Sequence, residues 1–139
     1  RVSLVGSEMC IRDRDQNALN DFFPIAEKNN IGIILAGIFN SGILAKGVGE
    51  NITYFYDKIP EEVKQRYLKI ANICKKYDVP VPAAAIQFCY TNKLVTSMIL
   101  GMDRLDQVEQ NLGFLNFPIP EDLWKDLLNE KLIDERCPI

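Results

Sequence analysis

Histidine is absent from the 139 residues of the chain. Without imidazole there is no His-paired serine or cysteine nucleophile, and the commonest general base is missing. Cysteine is sparse: Cys10, Cys74, Cys89 and Cys137 stand far apart with no C-x-x-C spacing. Neither a zinc site nor any other metal site has ligands to build on, and a disulfide framework is not expected in a chain with enough apolar residues for its own core. Cys74 and Cys89 are expected as small buried hydrophobes, in a reducing, cytoplasmic setting. Long apolar runs are missing too. The longest, from Ile31 to Gly42, is broken by glycines and falls far short of the roughly 20 residues of a membrane span. Nor is there a basic surplus: 16 Lys and Arg against 19 Asp and Glu give a net charge of -3. No nucleic-acid footprint is expected from such a balance.

What remains is the composition of one ordinary globular domain, 47% hydrophobic and 25% charged. Residues 1–14 follow no amphipathic period and lack the parts of a signal peptide, and they resemble a translated sequencing-adapter remnant, so a non-native leader is expected there. From Asp15 to Asn30, Leu19, Phe22, Phe23 and Ala26 fall at i, i+3, i+4 and i+7, which predicts a helix. Ile31 to Ala36 is a short continuous apolar run rich in isoleucine, the pattern of a parallel strand covered on both faces. Gly37 to Gly49 holds four glycines and predicts a loop, with a helical turn around Ile43 to Lys46.

Pro60 followed by Glu61 and Glu62 opens a helix whose first-turn carboxylates suit the positive end of the dipole. Its inner face is expected to carry Val63, Tyr67, Ile70 and Cys74. The run from Asp78 to Pro82 breaks that helix and a second one follows from Ala83 to Thr91. Leu94 to Leu100 predicts the second strand. Asp103 is placed to cap a helix from Arg104 to Leu115, with Asp106 three residues on and Leu105, Val108, Leu112 and Leu115 facing inward. Pro120 starts a last helix packing through Leu123, Trp124, Leu127 and Leu128, and Lys131 to Ile139 is expected to trail.

Strands alternating with helices imply βαβ units and a parallel sheet, hence an α/β fold. Ligands of such folds bind beyond the C-terminal strand ends, here Gly37 to Leu44 and Gly101 to Asn111. Both segments begin with glycine, and the second leads into a helix start suited to a phosphate. Spacing alone also fits ordinary strand-to-helix turns.

The strings say more. Ala36 to Ala45 (AGIFNSGILA), Val79 to Phe88 (VPVPAAAIQF), Met98 to Asn111 (MILGMDRLDQVEQN) and Phe117 to Trp124 (FPIPEDLW) resemble, in order and spacing, the C-terminal part of the aldo/keto reductase family, in its sugar and pyridoxal dehydrogenase branch. The resemblance runs from about Asp15 to Ile139 and implies a C-terminal fragment of a (β/α)8 TIM barrel, about two parallel strands with their helices, cut from an NAD(P)-dependent oxidoreductase acting on a sugar or aldehyde. It further implies that Gly37, Phe39, Asn40 and Ser41 lie under the cofactor pyrophosphate. Gly101, Met102, Asp103, Arg104 and Gln107 would line the adenosine ribose or its 2'-phosphate, with Gln110 and Asn111 near the adenine.

The family's catalytic Asp, Tyr, Lys and His belong to earlier strands, and Tyr54, Tyr56, Lys58 and Tyr67 do not stand at those positions. The fragment alone is therefore expected to be inactive. One departure concerns the cofactor. Where the family often has Ile-Pro-Gly and a basic residue two places on, this chain has Leu100 for the proline and Asp103 at the basic position, with Arg104 next to it. NAD and NADP both stay open. The alternative class is a small non-catalytic nucleotide-binding or interaction module. With two strand edges unpaired, the fragment is expected to aggregate rather than assemble specifically.

Overall fold

The computed structural model describes residues 2–5, 22–39, 42–48 and 59–135. The elements are β1 (Val2–Val5), α1 (Phe22–Lys28), β2 (Gly32–Ala36), α2 (Ile43–Lys46), α3 (Glu61–Lys76), α4 (Val81–Tyr90), β3 (Val95–Ile99), α5 (Leu105–Leu115) and α6 (Glu121–Asn129). Both predicted strands and every predicted helix from Phe22 onward are present, as is the single turn of α2. Leu19, Cys10 and Cys137 lie outside the described residues, as do Tyr54, Tyr56 and Lys58.

The sheet has three strands among the described residues, in the order β1-β2-β3, all parallel. Two had been expected. The third, β1, falls within residues 1–14 and pairs with β2 from Val2 opposite Gly32 to Val5 opposite Leu35. A four-residue strand is too short to show a period, and strands of parallel sheets need not alternate at all. Between β2 and β3 the register shifts: Ile33 faces Val95 but Ile34 faces Ser97, leaving Thr96 as an extra residue. Thr96 Oγ1 donates to the Ile33 carbonyl at 3.1 Å.

Helices cover one face of the sheet. Ile33 and Leu35 point into that side and are fully buried, whereas Ile34 and Ala36 of β2 are half-buried and Ile99 of β3 stays 51% exposed. Phe23 and Ala26 of α1 join Ile33, Leu35, Ile38, Cys89 and Val95 in this core. A second core lies among the helices, built from Ile70 and Cys74 of α3, Ala83 to Ala85 and Phe88 of α4, and Leu123 and Leu127 of α6. Each fully buried Phe, Leu or Ile contributes about 1.5–3 kcal/mol. The two cores meet at α4, where Phe88 belongs to one and Cys89 to the other.

Three helices end in the same way. Ile31 N–H donates to Ala26 O, Val79 N–H to Cys74 O and Leu132 N–H to Leu127 O, at 2.8–2.9 Å. In each case the intervening Asn30, Asp78 or Lys131 adopts positive φ, between 51° and 57°. This is the Schellman arrangement, in which a left-handed residue lets the chain fold back and a hydrophobic residue closes over the helix end.

The third of these corrects an expectation. Lys131 onward does not simply trail, because Leu132 and Ile133 are buried in the second core and the Leu132 carbonyl accepts from Arg66. Cys74 and Cys89 are buried thiols, as expected of them. Burial pushes the Cys74 thiol up to about 11.

The α5 helix holds the other corrections. Its N-cap position is Arg104, extended and without a side-chain capping bond, so Asp103 does not cap it. Instead Gln107 Oε1 accepts the Asp103 N–H at 3.0 Å, and Asp106 is engaged by Arg104. The face read as inward is only partly covered: Val108 is half-buried, and Val108, Leu112 and Leu115 line a cleft shared with α4 and β3. Leu105 is 75% exposed, Leu112 58%, and no residue of α5 is buried. An amphipathic stripe records that a helix packs on something, and here α5 packs chiefly on α4, with Phe114 against the second core.

Candidate functional site

Because β2 and β3 are parallel neighbours, with Ala36 opposite Ile99, the segments that follow them leave the sheet at the same end. Gly37 follows β2 with φ +73° and is exposed. A Cβ built there would meet nothing within 4 Å, and the same holds at Gly101 beyond β3. The two strand exits thus present bare backbone to open space. That is the geometry a charged or bulky ligand needs to reach peptide N–H groups.

After Gly37 the chain turns quickly. Gly42 N–H and Leu44 N–H both donate to the Phe39 carbonyl, at 3.0 and 3.1 Å, and Gly42 takes φ +88° at the start of α2. The Phe39 ring packs against the helical core, so its place at this end is fixed by packing and its backbone carries the turn. Asn40 and Ser41 lie outside the described residues.

On the β3 side Gly101, Met102, Asp103 and Arg104 are all exposed, and Gln107 is half-buried. Arg104 Nε donates to Asp106 Oδ1 at 2.9 Å, and a second nitrogen of the same guanidinium pairs with Oδ2. Both partners remain about two-thirds exposed. With no side chain capping α5, the amide groups of its first turn stay open at the positive end of the helix dipole.

Gln110 is exposed, while half-buried Asn111 turns toward a cleft of about 130 Å³ shared with Met102. Its apolar wall is formed by Ile86 and Tyr90 of α4, Met98 of β3, Leu100 just beyond it, and Val108, Leu112 and Leu115 of α5. Ile86, Tyr90 and Met98 were not expected at a site, and Leu100 was noted only for replacing a proline. Their one signal is that α4 is apolar at nine of its ten positions, which marks a helix packed on several sides without saying which neighbour leaves a gap.

Gln87 holds α4 and α5 in this arrangement. Its side-chain amide donates to the carbonyls of Phe114 and Phe117, at 2.9 and 2.7 Å, satisfying acceptors at the C-terminal end of α5 and just beyond.

A parallel sheet with helices on one face, strand exits led by glycine and a helix start beside them is part of a TIM barrel wall. The structure resembles an aldo-keto reductase from Bacillus halodurans in its apo form, with TM-score 0.68 and 19% identity, over 99% of this chain and 46% of that one. The holo form gives TM-score 0.65 at 18% identity with the same coverage. The model of the aldo/keto reductase family matches residues 2–129, and the chain belongs to that family.

Among curated proteins it is 39% identical over 120 residues to D-threo-aldose 1-dehydrogenase from a Pseudomonas species, covering 86% of this chain and 36% of that protein. It is 36% identical over 119 residues to pyridoxal 4-dehydrogenase from Microbacterium luteolum, covering 86% and 35%. L-galactose dehydrogenase from Arabidopsis thaliana is 24% identical over 99 residues, covering 71% and 30%. The chain therefore spans about a third of the length of the curated relatives it matches.

Proposed function

We propose that this chain supplies the cofactor-holding wall of an NAD(P)-dependent oxidoreductase that acts on a small molecule, a sugar or an aldehyde. The observation that carries this reading is the pair of glycine-led exits, Gly37 and Gly101, open at the same end of adjacent parallel strands beside the uncapped start of α5. The names of the relatives, two sugar dehydrogenases and a pyridoxal dehydrogenase, support the substrate class.

A dinucleotide fits the residues present. The bare backbone at Gly37, with Phe39, Asn40 and Ser41 after it, would receive the pyrophosphate. Gly101, Met102, Asp103, Arg104 and Gln107 would meet the adenosine ribose, and Gln110 and Asn111 the adenine. Open first-turn amides of α5 favour the negative charge. When bound, the nicotinamide cofactor supplies the hydride chemistry, while this wall binds and orients it. The side chains that transfer the proton come from the rest of the barrel in this reading.

Titrating the purified chain with NADH while following backbone amide resonances tests the proposal. Shifts clustered at Gly37, Gly101 and the first turn of α5 are expected. Saturating nucleotide that moves no resonance, or moves only those of α3 and α6, overturns it.

A further inference from the structure

Resting on the cofactor site proposed above, we infer that Gln87 is a positioning residue for it: by tying α4 to the far end of α5, its side-chain amide sets the width of the cleft that receives the adenine end of the nucleotide.

The cleft lies between these two helices. Ile86 and Tyr90 stand on its α4 side and Asn111, Leu112 and Leu115 on its α5 side, so the spacing of the helices is the spacing of its walls. Side-chain interlocking fixes that spacing incompletely. No residue of α5 is buried and Leu112 is 58% exposed, whereas a helix locked by packing fills the grooves of its neighbour. Phe114 packs against the second core, but an apolar contact has no direction.

The bonds from Gln87 do have one. Its Nε2 donates to the Phe114 carbonyl at 2.9 Å and to the Phe117 carbonyl at 2.7 Å, which commits both N–H groups of one amide to a single helix end. Sliding α5 along α4, or turning it about its own axis, breaks one of them. Gln87 is also the sequence neighbour of Ile86, so the tie acts beside the wall it holds.

A flat ring is the ligand most sensitive to such a spacing, because a gap of about 0.5–1 Å forfeits roughly a quarter to a half of each contact's attraction. Asn111 is a polar group in an otherwise apolar lining and suits a ring with hydrogen-bonding nitrogens at its edge. Asn111 and Met102 belong both to the cleft and to the path proposed for the nucleotide. The two are continuous, and adenine is the occupant.

Titration with NAD+, followed through backbone amide resonances, is the test. Gln87→Leu keeps the bulk without the donor and is expected to bind at least about tenfold more weakly, losing the shift at Asn111 while that at Gly37 remains. Gln87→Arg restores donors in a planar fork and should return to within about threefold of the native affinity. Ile70→Val loosens the second core without touching the cleft, and should bind as the native chain does. In the native chain, saturating NAD+ should slow exchange of the Gln87 side-chain amide, since ligand and tie favour the same spacing; this reading needs no variant to fold. Native affinity in Gln87→Leu, equal losses in the leucine and arginine variants, or unchanged exchange of the Gln87 amide overturns the positioning role and leaves the cofactor site standing. Failure of the native chain to bind NAD+ overturns both.

Discussion

Ala36 of β2 lies opposite Ile99 of β3 in a parallel ladder, and this pairing brings Gly37 and Gly101 to one end of the sheet although 64 positions separate them in the sequence. Gly101 is the sharper probe of the two. Its φ is not in the left-handed region and a Cβ there meets nothing within 4 Å, so Gly101→Val should leave stability within about 0.5 kcal/mol of the native chain. Nucleotide affinity should nevertheless fall tenfold or more, by about 1.4 kcal/mol, because the branched side chain fills the space before the backbone. Urea unfolding alongside nucleotide titration separates the two effects.

Gln87 bridges the carbonyls of Phe114 and Phe117 at the end of α5. Gln87→Leu keeps the bulk and removes the donor, and should cost about 1–3 kcal/mol. The amide exchange of residues 112–117 should accelerate more than that of α3, a difference that hydrogen exchange resolves.

Lys131 closes the α6 end with φ +54°, a conformation that costs an L-residue other than glycine, asparagine or aspartate about 1 kcal/mol. Lys131→Gly should therefore raise stability by about 0.5–1 kcal/mol. Thermal denaturation would register the gain.

Asp126 ties α6 to α3. The ammonium of Lys76 donates to it at 2.7 Å and the Tyr77 hydroxyl at 2.8 Å, and these hydrogen bonds hold its carboxyl below the ordinary value of 3.8. A lowered folded pKa gives stability that is present above the unfolded value and lost as pH falls through the folded one. At the alkaline end the hydrogen bond to Asp126 holds the Lys76 ammonium above its ordinary value of 10.5, so its share is present below that value and fades as pH rises beyond it. Asp126→Asn should flatten both limbs of the stability profile, below about pH 4 and above about pH 10, and leave the plateau between them sloped as before. Urea midpoints across pH would show this.

Leu105 and Leu112 are 75% and 58% exposed and lie on the same side of α5, with Leu115 a further partly exposed neighbour. Paired Leu105→Glu and Leu112→Glu changes should raise solubility and lower binding of a hydrophobic dye, at little cost in stability, since no core contact is removed. A marked loss of stability in the pair would mean that this face is buried against something.

Much of the architecture was legible because local rules and packing agree in it. Pro60 with Glu61 and Glu62 announces α3, the isoleucines around β2 announce a buried strand, and the tight glycine spacing around Ile43 leaves room for one turn of helix. The α5 misreading shows where such rules stop. Leu105, Val108, Leu112 and Leu115 state that a partner exists without saying whether it is present, and Asp103 has the residue type of a cap while Arg104 takes the position. The hydrogen bond between Gln107 and Asp103 leaves no trace in the pattern, because exposed polar residues carry no period. Of the candidate site, the two glycine exits could be read from sequence, whereas the cleft beside Met102 depends on how α4 and α5 meet.

Thr96 has an effect that outruns its own contacts. Val95, Met98 and Leu100 all lean toward the helices, yet Val95 and Met98 are three residues apart and strict alternation would send them to opposite sides. The extra residue resets the count, so the second half of β3 runs in phase with Ile33 and Leu35 next door. Were Thr96 instead paired regularly with Ile34, Ile99 would turn toward the helices and Met98 and Leu100 away from them, inverting the exit of the strand while every residue kept its identity.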